Sequence, residues 1–496
     1  MQRTRASGIL LHPTSLPGPH GIGSLGAEAY AFVDFLAGAG QSIWQILPLG
    51  PTGYGDSPYS ALSAFAGNPL LICLERLVEA GDLDTGDIAG TAIPDGAVSF
   101  GFVHGFKGRL LQKAARRFRK TSSTERRTAF AEFCVRQAWW LNDYTIYRAL
   151  RQHFEGRAWN SWPVEIRHRE DEALRYWGEQ LADAIDDEKY AQFVFFEQWF
   201  ALKDYANSRG VRIFGDIPIF VALDSADVWA NPHFFHLDSE GHPTQVAGVP
   251  PDYFSATGQR WGNPLYRWDR LAADGFSWWL ARFSWNLTQT DLVRIDHFRG
   301  FEACWVIPAE EKTAINGRWE SVPGADLFQA LTDALGKAPI VAEDLGVITP
   351  EVEALRDRFG FPGMKILQFA FDAGAGNPYL PHNFLRNCVV YSGTHDNDTT
   401  VGWWKSLSRQ ERDGVQAYLG SGDREIWWEM IRLAMASVAD LCIFPLQDVL
   451  GLGSEARLNT PGRPDGNWSW RYPSRALTPE LQHRLAELCR IYGRHP

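Results

Sequence analysis

Short aliphatic and β-branched runs recur along the chain, and most end in a polar residue followed by glycine, proline or a loop. They fall at residues 8–11, 42–47, 211–215, 291–295, 339–342, 365–367, 389–392 and 442–444. Near-continuous apolar runs of this length suit strands covered on both faces, as in a parallel sheet clothed by helices. Each run alone is equally compatible with a buried helix segment. Eight of them, separated by stretches long enough for crossover helices, predict a parallel (β/α)8 barrel.

The spacings predict where that barrel is decorated. Leu47 to Val211 spans 164 residues, far more than one crossover requires. Residues 106–119, 124–153 and 188–209 carry amphipathic helical patterns, which predicts a mainly helical insertion over 66–200, after the second strand. Gly215 to Asp291 spans 76 residues and is rich in proline, glycine and aromatics, as in Asn231-Pro232-His233-Phe234-Phe235. Residues 220–285 are therefore expected to form a loop-rich insertion after the third strand. No repeat or linker-like stretch interrupts the pattern, so one decorated barrel is expected over 1–496.

Composition narrows the partners. At 496 residues the chain exceeds what one compact core usually supports, and decoration absorbs the excess better than separate domains. Lys and Arg number 48 against 59 Asp and Glu, a net charge of −11, and no basic tract is long enough to follow a phosphate backbone. No nucleic-acid partner is expected. The six cysteines lie scattered with no CxxC, which argues against a disulfide framework and against zinc, and suits a reducing cytoplasm. The apolar run after Arg5 stops at His12-Pro13, and no apolar stretch of about 18 residues occurs. No membrane association is expected, and the expected setting is cytoplasmic. Aromatic residues are plentiful at 13%, as buried rings or as flat surfaces for sugars and bases.

In barrels of this kind the reacting groups come from the C-terminal ends of strands. Four candidate strands end in or run on into an acid: Asp216, Asp296, Glu343 and, slightly further on, Asp396. Any one of these could cap the next helix. Several on one rim would repel unless a task or a cation held them. Arg294 and Asp296, two apart, share a strand face, and a guanidinium there favours the ionised carboxylate that a nucleophile needs. A structural ion pair would have the same spacing. Partial burial near other acids would raise the pKa of Glu343, as a general acid requires. Alternation leaves open whether Glu343 or Asp344 faces inward. His395 has no second histidine at ligand spacing, so hydrogen bonding suits it better than metal binding. Two carboxyls of opposite protonation, a third acid and many aromatics fit glycosidic-bond chemistry.

Further motifs extend the pattern. They are Gly8-Ile9-Leu10-Leu11-His12-Pro13-Thr14-Ser15-Leu16-Pro17, Trp44-Gln45-Ile46-Leu47-Pro48-Leu49-Gly50-Pro51, Gly55-Asp56-Ser57-Pro58-Tyr59 and Gly215-Asp216-Ile217-Pro218. Next come Gly248-Val249-Pro250-Pro251-Asp252-Tyr253-Phe254, Arg294-Ile295-Asp296-His297-Phe298-Arg299-Gly300 and Ala342-Glu343-Asp344-Leu345-Gly346. Last are Gly393-Thr394-His395-Asp396-Asn397, Arg457-Leu458-Asn459-Thr460-Pro461-Gly462 and Gly466-Asn467-Trp468. In number and order they resemble the 4-α-glucanotransferases (amylomaltases, disproportionating enzymes), glycoside hydrolase family 77 of the α-amylase clan, over essentially the whole chain.

The resemblance implies transfer of an α-1,4-glucan segment to the 4-hydroxyl of an acceptor glucose or glucan, with retention, through a covalent glucosyl-enzyme. It implies Asp296 as nucleophile, Glu343 as acid/base and Asp396 as transition-state stabiliser. Arg294, His395, Asp216 and Tyr59 would hold the sugar at subsite −1, and Trp261 and Asn467 would touch sugar rings or hydroxyls. Tyr54 would belong to a second, remote glucan site, or else be a packed loop tyrosine. Ser57 is expected to touch substrate, as are Tyr253 and Phe254 from an active-site lid. The implied partners are maltodextrins, amylose and glycogen as donors and glucose or maltooligosaccharides as acceptors. No cofactor, no metal and no C-terminal β-sandwich are expected. A plain α-glucan hydrolase would use the same residues. A non-catalytic glucan-binding protein would have no need of three acids at one site.

Overall fold

The computed structural model describes residues 5–90, 93, 96–251, 255–420, 425–463 and 465–494. In chain order its strands are β1 (Ala6–Leu10), β2 (Ile43–Gln45), β3 (Arg212–Pro218), β4 (Gln245–Val249), β5 (Gln259–Pro264) and β6 (Leu292–Asp296). They continue as β7 (Ala303–Pro308), β8 (Arg318–Ser321), β9 (Ile340–Ala342), β10 (Gly363–Ile366), β11 (Cys388–Tyr391) and β12 (Leu441–Pro445). Eight form one parallel sheet in the order β10-β11-β12-β1-β2-β3-β6-β9. The Ala342 N–H at the end of β9 donates to the Pro362 carbonyl at 2.9 Å, just before β10, and draws the two edges together. The fold is a (β/α)8 barrel, and each of the eight predicted runs overlaps one of its strands.

The strands are buried because both faces are covered: every residue of β1, β2, β9 and β11 is buried. Gly8 is required where β1 meets β2, since a Cβ there would strike the Ile43 backbone and side chain.

One reading of the chain needs correction, and another needs filling in. The pattern over 124–153 is two helices, Thr124–Arg136 and Ala138–His153, broken at Gln137. The apolar period runs straight across the break, with Phe133 and Trp140 both 6.0 Å from the Phe196 ring, so the pattern does not disclose it. Residues 220–285, expected to be loop-rich, also carry regular elements that the pattern does not mark. They hold β4, β5, the helix Trp268–Ala273 and most of the helix Ser277–Gln289. With β7 and β8, strands β4 and β5 build a second, antiparallel sheet in the order β5-β4-β7-β8. β5 reads Gln259-Arg260-Trp261-Gly262-Asn263-Pro264, mostly solvated and without apolar alternation, so nothing in its pattern marks a strand.

This second sheet hangs from the functional end of the barrel, because β7 follows β6 directly through the turn Phe298–Phe301. The helices between β2 and β3 pack on the 27-residue helix Ala182–Ser208, which delivers the chain to β3. Much of the aromatic content is spent in these cores. Trp44, Trp199, Trp229 and Trp279 are fully buried, whereas Trp261 and Tyr54 stay 39% and 82% exposed. Among the described residues, no helix is long and apolar enough to cross a membrane.

The base of the barrel is tied by a buried arginine, with Arg5 sharing two of its carbonyls. Arg494, fully buried, donates to the carbonyls of Ala6, Met435, Ser437, Ala439 and Asp440. Arg494→Ala strips the Ala6, Ala439 and Asp440 carbonyls of a charged donor in a dry site, while those of Met435 and Ser437 keep Arg5. It is expected to destabilise the protein by about 3 kcal/mol or more, read as a fall in the urea midpoint.

Candidate active site

Register alone sets the first part of the site. Asp216 of β3 lies opposite Arg294 of β6, and Pro218 lies opposite Asp296. Arg294 Nη1 donates to both Asp216 oxygens at 2.9 and 2.7 Å, while its Nη2 sits 2.8 Å from Asp296 Oδ1. One buried guanidinium thus holds two carboxylates that would otherwise repel. The Tyr59 hydroxyl adds a third hydrogen bond to Asp216, at 2.8 Å. Burial pushes the Asp216 carboxyl up, against the pull of Arg294, to about 7.

Glu343 lies just past β9, its N–H donating to the Ile295 carbonyl at 3.0 Å. Its Oε2 accepts the His297 N–H at 2.6 Å and its Oε1 accepts the Leu345 N–H at 3.1 Å. The His297 backbone is left-handed (φ 51°), which turns that N–H towards the carboxyl. Desolvation pushes Glu343 up to about 8; Arg294 and the His297 N–H oppose this, and the Asp296 charge adds to it. Asp344 is drawn the other way, paired with Arg356 and accepting the Met364 N–H at 2.7 Å. The choice that alternation leaves open is made by those two partners.

Raised carboxyls carry a pH signature. An unfolded glutamate ionises near pH 4.3, while folded Glu343 keeps its proton up to about 8. Its contribution is fully present below the unfolded value and is lost as pH rises through the folded one. Glu343→Gln should therefore gain stability over the parent as pH rises from about 4 to about 8. Paired urea midpoints at the two ends of that range check this.

Asp396 follows β11 in the turn 392–398, nearly half exposed. Its Oδ1 accepts Asn459 Nδ2–H at 2.6 Å and lies 3.4 Å from His395 Nε2. His395 is buried, and burial lowers its pKa, so it is neutral at pH 7. Its ring stacks on Tyr59 at 5.1 Å and 17° and stands 6.0 Å from Trp468. The Tyr59 hydroxyl lies in the fields of Asp216, Asp296 and Asp396 together, and Arg294 in that of Glu343. The predicted acids therefore converge on one end of the barrel.

Other predicted residues are placed more loosely. Trp261, on β5, meets the His297 ring edge-on at 4.8 Å, which brings the second sheet to the acids. Ser57 Oγ accepts the Tyr59 N–H at 3.2 Å, and so shapes the loop that carries Tyr59. Asn467 spends its amide on its own loop, with the Thr460 N–H and the Arg463 carbonyl both at 2.9 Å. Tyr54 projects into solvent, and among the described residues it has no part in the carboxylate network. Tyr253 and Phe254, with the expected lid, lie outside the described residues.

Sequence reasoning missed Asn459 and Arg457 as partners of Asp396, although both stand in a motif that was read. It also missed Tyr391, whose hydroxyl donates to Gln45 Oε1 at 2.9 Å within the fields of Arg294, Asp216 and Glu343. Among the described residues, no group of three or more His, Cys, Asp or Glu could hold a metal ion. An ion-paired carboxylate beside a carboxyl that keeps its proton at neutral pH is the arrangement used in acid-assisted displacement at a sugar.

Comparison with known proteins agrees with this geometry. The profile of glycoside hydrolase family 77, 4-alpha-glucanotransferase, matches residues 11–478. The chain is 55% identical over 493 residues to the 4-alpha-glucanotransferase of Thermus thermophilus, covering 98% of each. It is 54% identical over 496 residues to that of Synechocystis sp., covering 99% of this chain and 98% of the other. Among solved structures, it superposes on amylomaltase from Streptococcus agalactiae in complex with acarbose with a TM-score of 0.96 and 39% identity, covering 99% of this chain and all of that one. By motif, fold and full-length identity, the chain belongs to glycoside hydrolase family 77, the 4-alpha-glucanotransferases.

Proposed function

We propose that the protein cleaves an α-1,4-glucan and passes the released segment to the 4-hydroxyl of an acceptor glucose or glucan, by double displacement with net retention. The observation that carries this reading is the pairing of Asp296, ion-paired to Arg294, with Glu343, whose proton persists to about pH 8. In the first step an Asp296 oxygen bonds to the anomeric carbon. The glycosidic bond breaks and its oxygen takes the Glu343 proton. In the second step Glu343, now a carboxylate, takes the proton of the acceptor 4-hydroxyl. That oxygen bonds to the anomeric carbon, and the Asp296 ester breaks.

Asp396 offers negative charge to the sugar as positive charge develops on it. Arg294, Asp216, Tyr59 and His395 form a rigid cradle for the sugar at subsite −1, and Trp261 presents a flat face beside it. The acarbose bound by the Streptococcus agalactiae relative supports an α-glucan ligand. Maltodextrins, amylose and glycogen are the donors on this reading.

Incubation with maltotriose alone tests it. Transfer yields glucose together with maltopentaose and longer chains, at a constant number of reducing ends. A steady rise in reducing ends would make the protein a hydrolase, and no change at all would make it a binding protein.

A further inference from the structure

We infer that Asn459 is a positioning residue for Asp396, and that the segment carrying Arg457 and Asn459 decides which carboxylate oxygen of Asp396 meets the sugar. The inference rests on the role proposed for Asp396 above.

Asp396 has a problem that the other acids do not. Asp216 and Asp296 stand on barrel strands, and Glu343 follows one directly. Asp396 lies five residues past β11, in a polar turn, with a half-exposed side chain. Its N–H donates to Thr394 Oγ1 at 3.3 Å within the turn, and its other restraints come from a different segment, beyond β12. Arg457 Nη2 donates to the Asp396 carbonyl at 2.6 Å and Arg457 Nε to the Asn459 carbonyl at 2.7 Å. The Asn459 N–H donates to the His395 carbonyl at 3.2 Å, and its Nδ2 to Asp396 Oδ1 at 2.6 Å. These four bonds fasten the turn and aim the carboxylate.

The chemistry of the donor matters as much as its position. Asp296 is gripped by a cation, whereas the amide of Asn459 carries no charge. It can stop rotation of the Asp396 carboxylate without neutralising it. Oδ1 is thereby occupied, and Oδ2, which has no hydrogen-bond donor among the described residues, is left for sugar hydroxyls. A neutral clamp on one oxygen suits a group whose charge is used only when the sugar becomes cationic.

The test is the pH dependence of maltotriose transfer by the full chain carrying Asn459→Ala, Asn459→Asp or Asp396→Asn, each checked for an unchanged urea midpoint. Asn459→Ala should lower kcat about 10- to 100-fold, the scale set by small misplacement of a catalytic group, with KM within about threefold of the parent. Asn459→Asp separates positioning from mere structure. While the introduced carboxyl and that of Asp396 share one proton, the hydrogen bond between them persists; once that proton leaves, two anions face each other. The other titratable or charged groups facing Asp396 are His395, Tyr59 and Arg457, and all three are kept. The rate of Asn459→Asp relative to the parent should therefore fall as pH rises. A pH-independent ratio, or a kcat for Asn459→Ala within twofold of the parent, would overturn the inference. If Asp396→Asn also kept full activity, the role of Asp396 itself would fall.

Discussion

Asp296→Ala should abolish transfer on every donor, by about 10⁴-fold or more, the scale of losing a nucleophile. No neighbouring carboxylate can take its place. Asp216 is held on both oxygens by Arg294 and on one by Tyr59, and Asp396 is tied by Asn459. The fold should survive, because Arg294 Nη1 keeps its bonds to both Asp216 oxygens when Asp296 is gone. An activated donor does not help this variant, since leaving-group chemistry is not what it lacks. Added azide should help. A small anion in the vacated space can attack the anomeric carbon once, giving a β-glycosyl azide that marks the face from which Asp296 acts. Loss of activity on maltotriose, unchanged loss on α-maltosyl fluoride, and a β-configured azide product are the expected trio.

Glu343→Gln should separate the two half-reactions. Maltotriose turnover should fall about 10³-fold, because the leaving sugar oxygen has no proton to take. Fluoride leaves without one, so the first step with α-maltosyl fluoride should run near the parent rate. Glutamine cannot deprotonate the acceptor, and the variant should show a burst of fluoride followed by slow turnover. The pH profile carries the same assignment. Glu343 must hold its proton for the first step, so the parent rate on maltotriose should fall as pH rises through about 8. That alkaline limb should be missing from the burst of the glutamine variant. Equal loss on both donors would remove Glu343 from the acid role.

What the sequence disclosed follows from which interactions are local. The barrel strands were legible because burial on both faces leaves near-continuous apolar runs, as in Val389 and Val390 of β11. β5 and β8 were not, since Gln259-Arg260-Trp261 and Arg318-Trp319-Glu320 are held by their partner strands rather than by burial. The acids were visible as strand-end residues, and Arg294 beside Asp296 followed from a two-residue period. That Arg294 Nη1 bonds to both oxygens of Asp216 depends on the register of β3 against β6, which no local pattern contains. Glu343 and Asp344 both lie beyond the last residue of β9, where alternation lapses, and the distant Arg356 and Met364 settle their directions. Asn459 reaches Asp396 from 63 residues further along the chain.

The most direct measurement is to trap the intermediate. The donor is an α-maltosyl fluoride whose non-reducing 4-hydroxyl is blocked, so that it cannot serve as acceptor, and the protein carries Glu343→Gln. Digestion and mass spectrometry should find one maltosyl group on the peptide containing Asp296, and added maltose should discharge it only slowly, since position 343 no longer carries a base. A full burst of fluoride with no protein-bound sugar, or sugar attached at Asp216 or Asp396, would contradict the account.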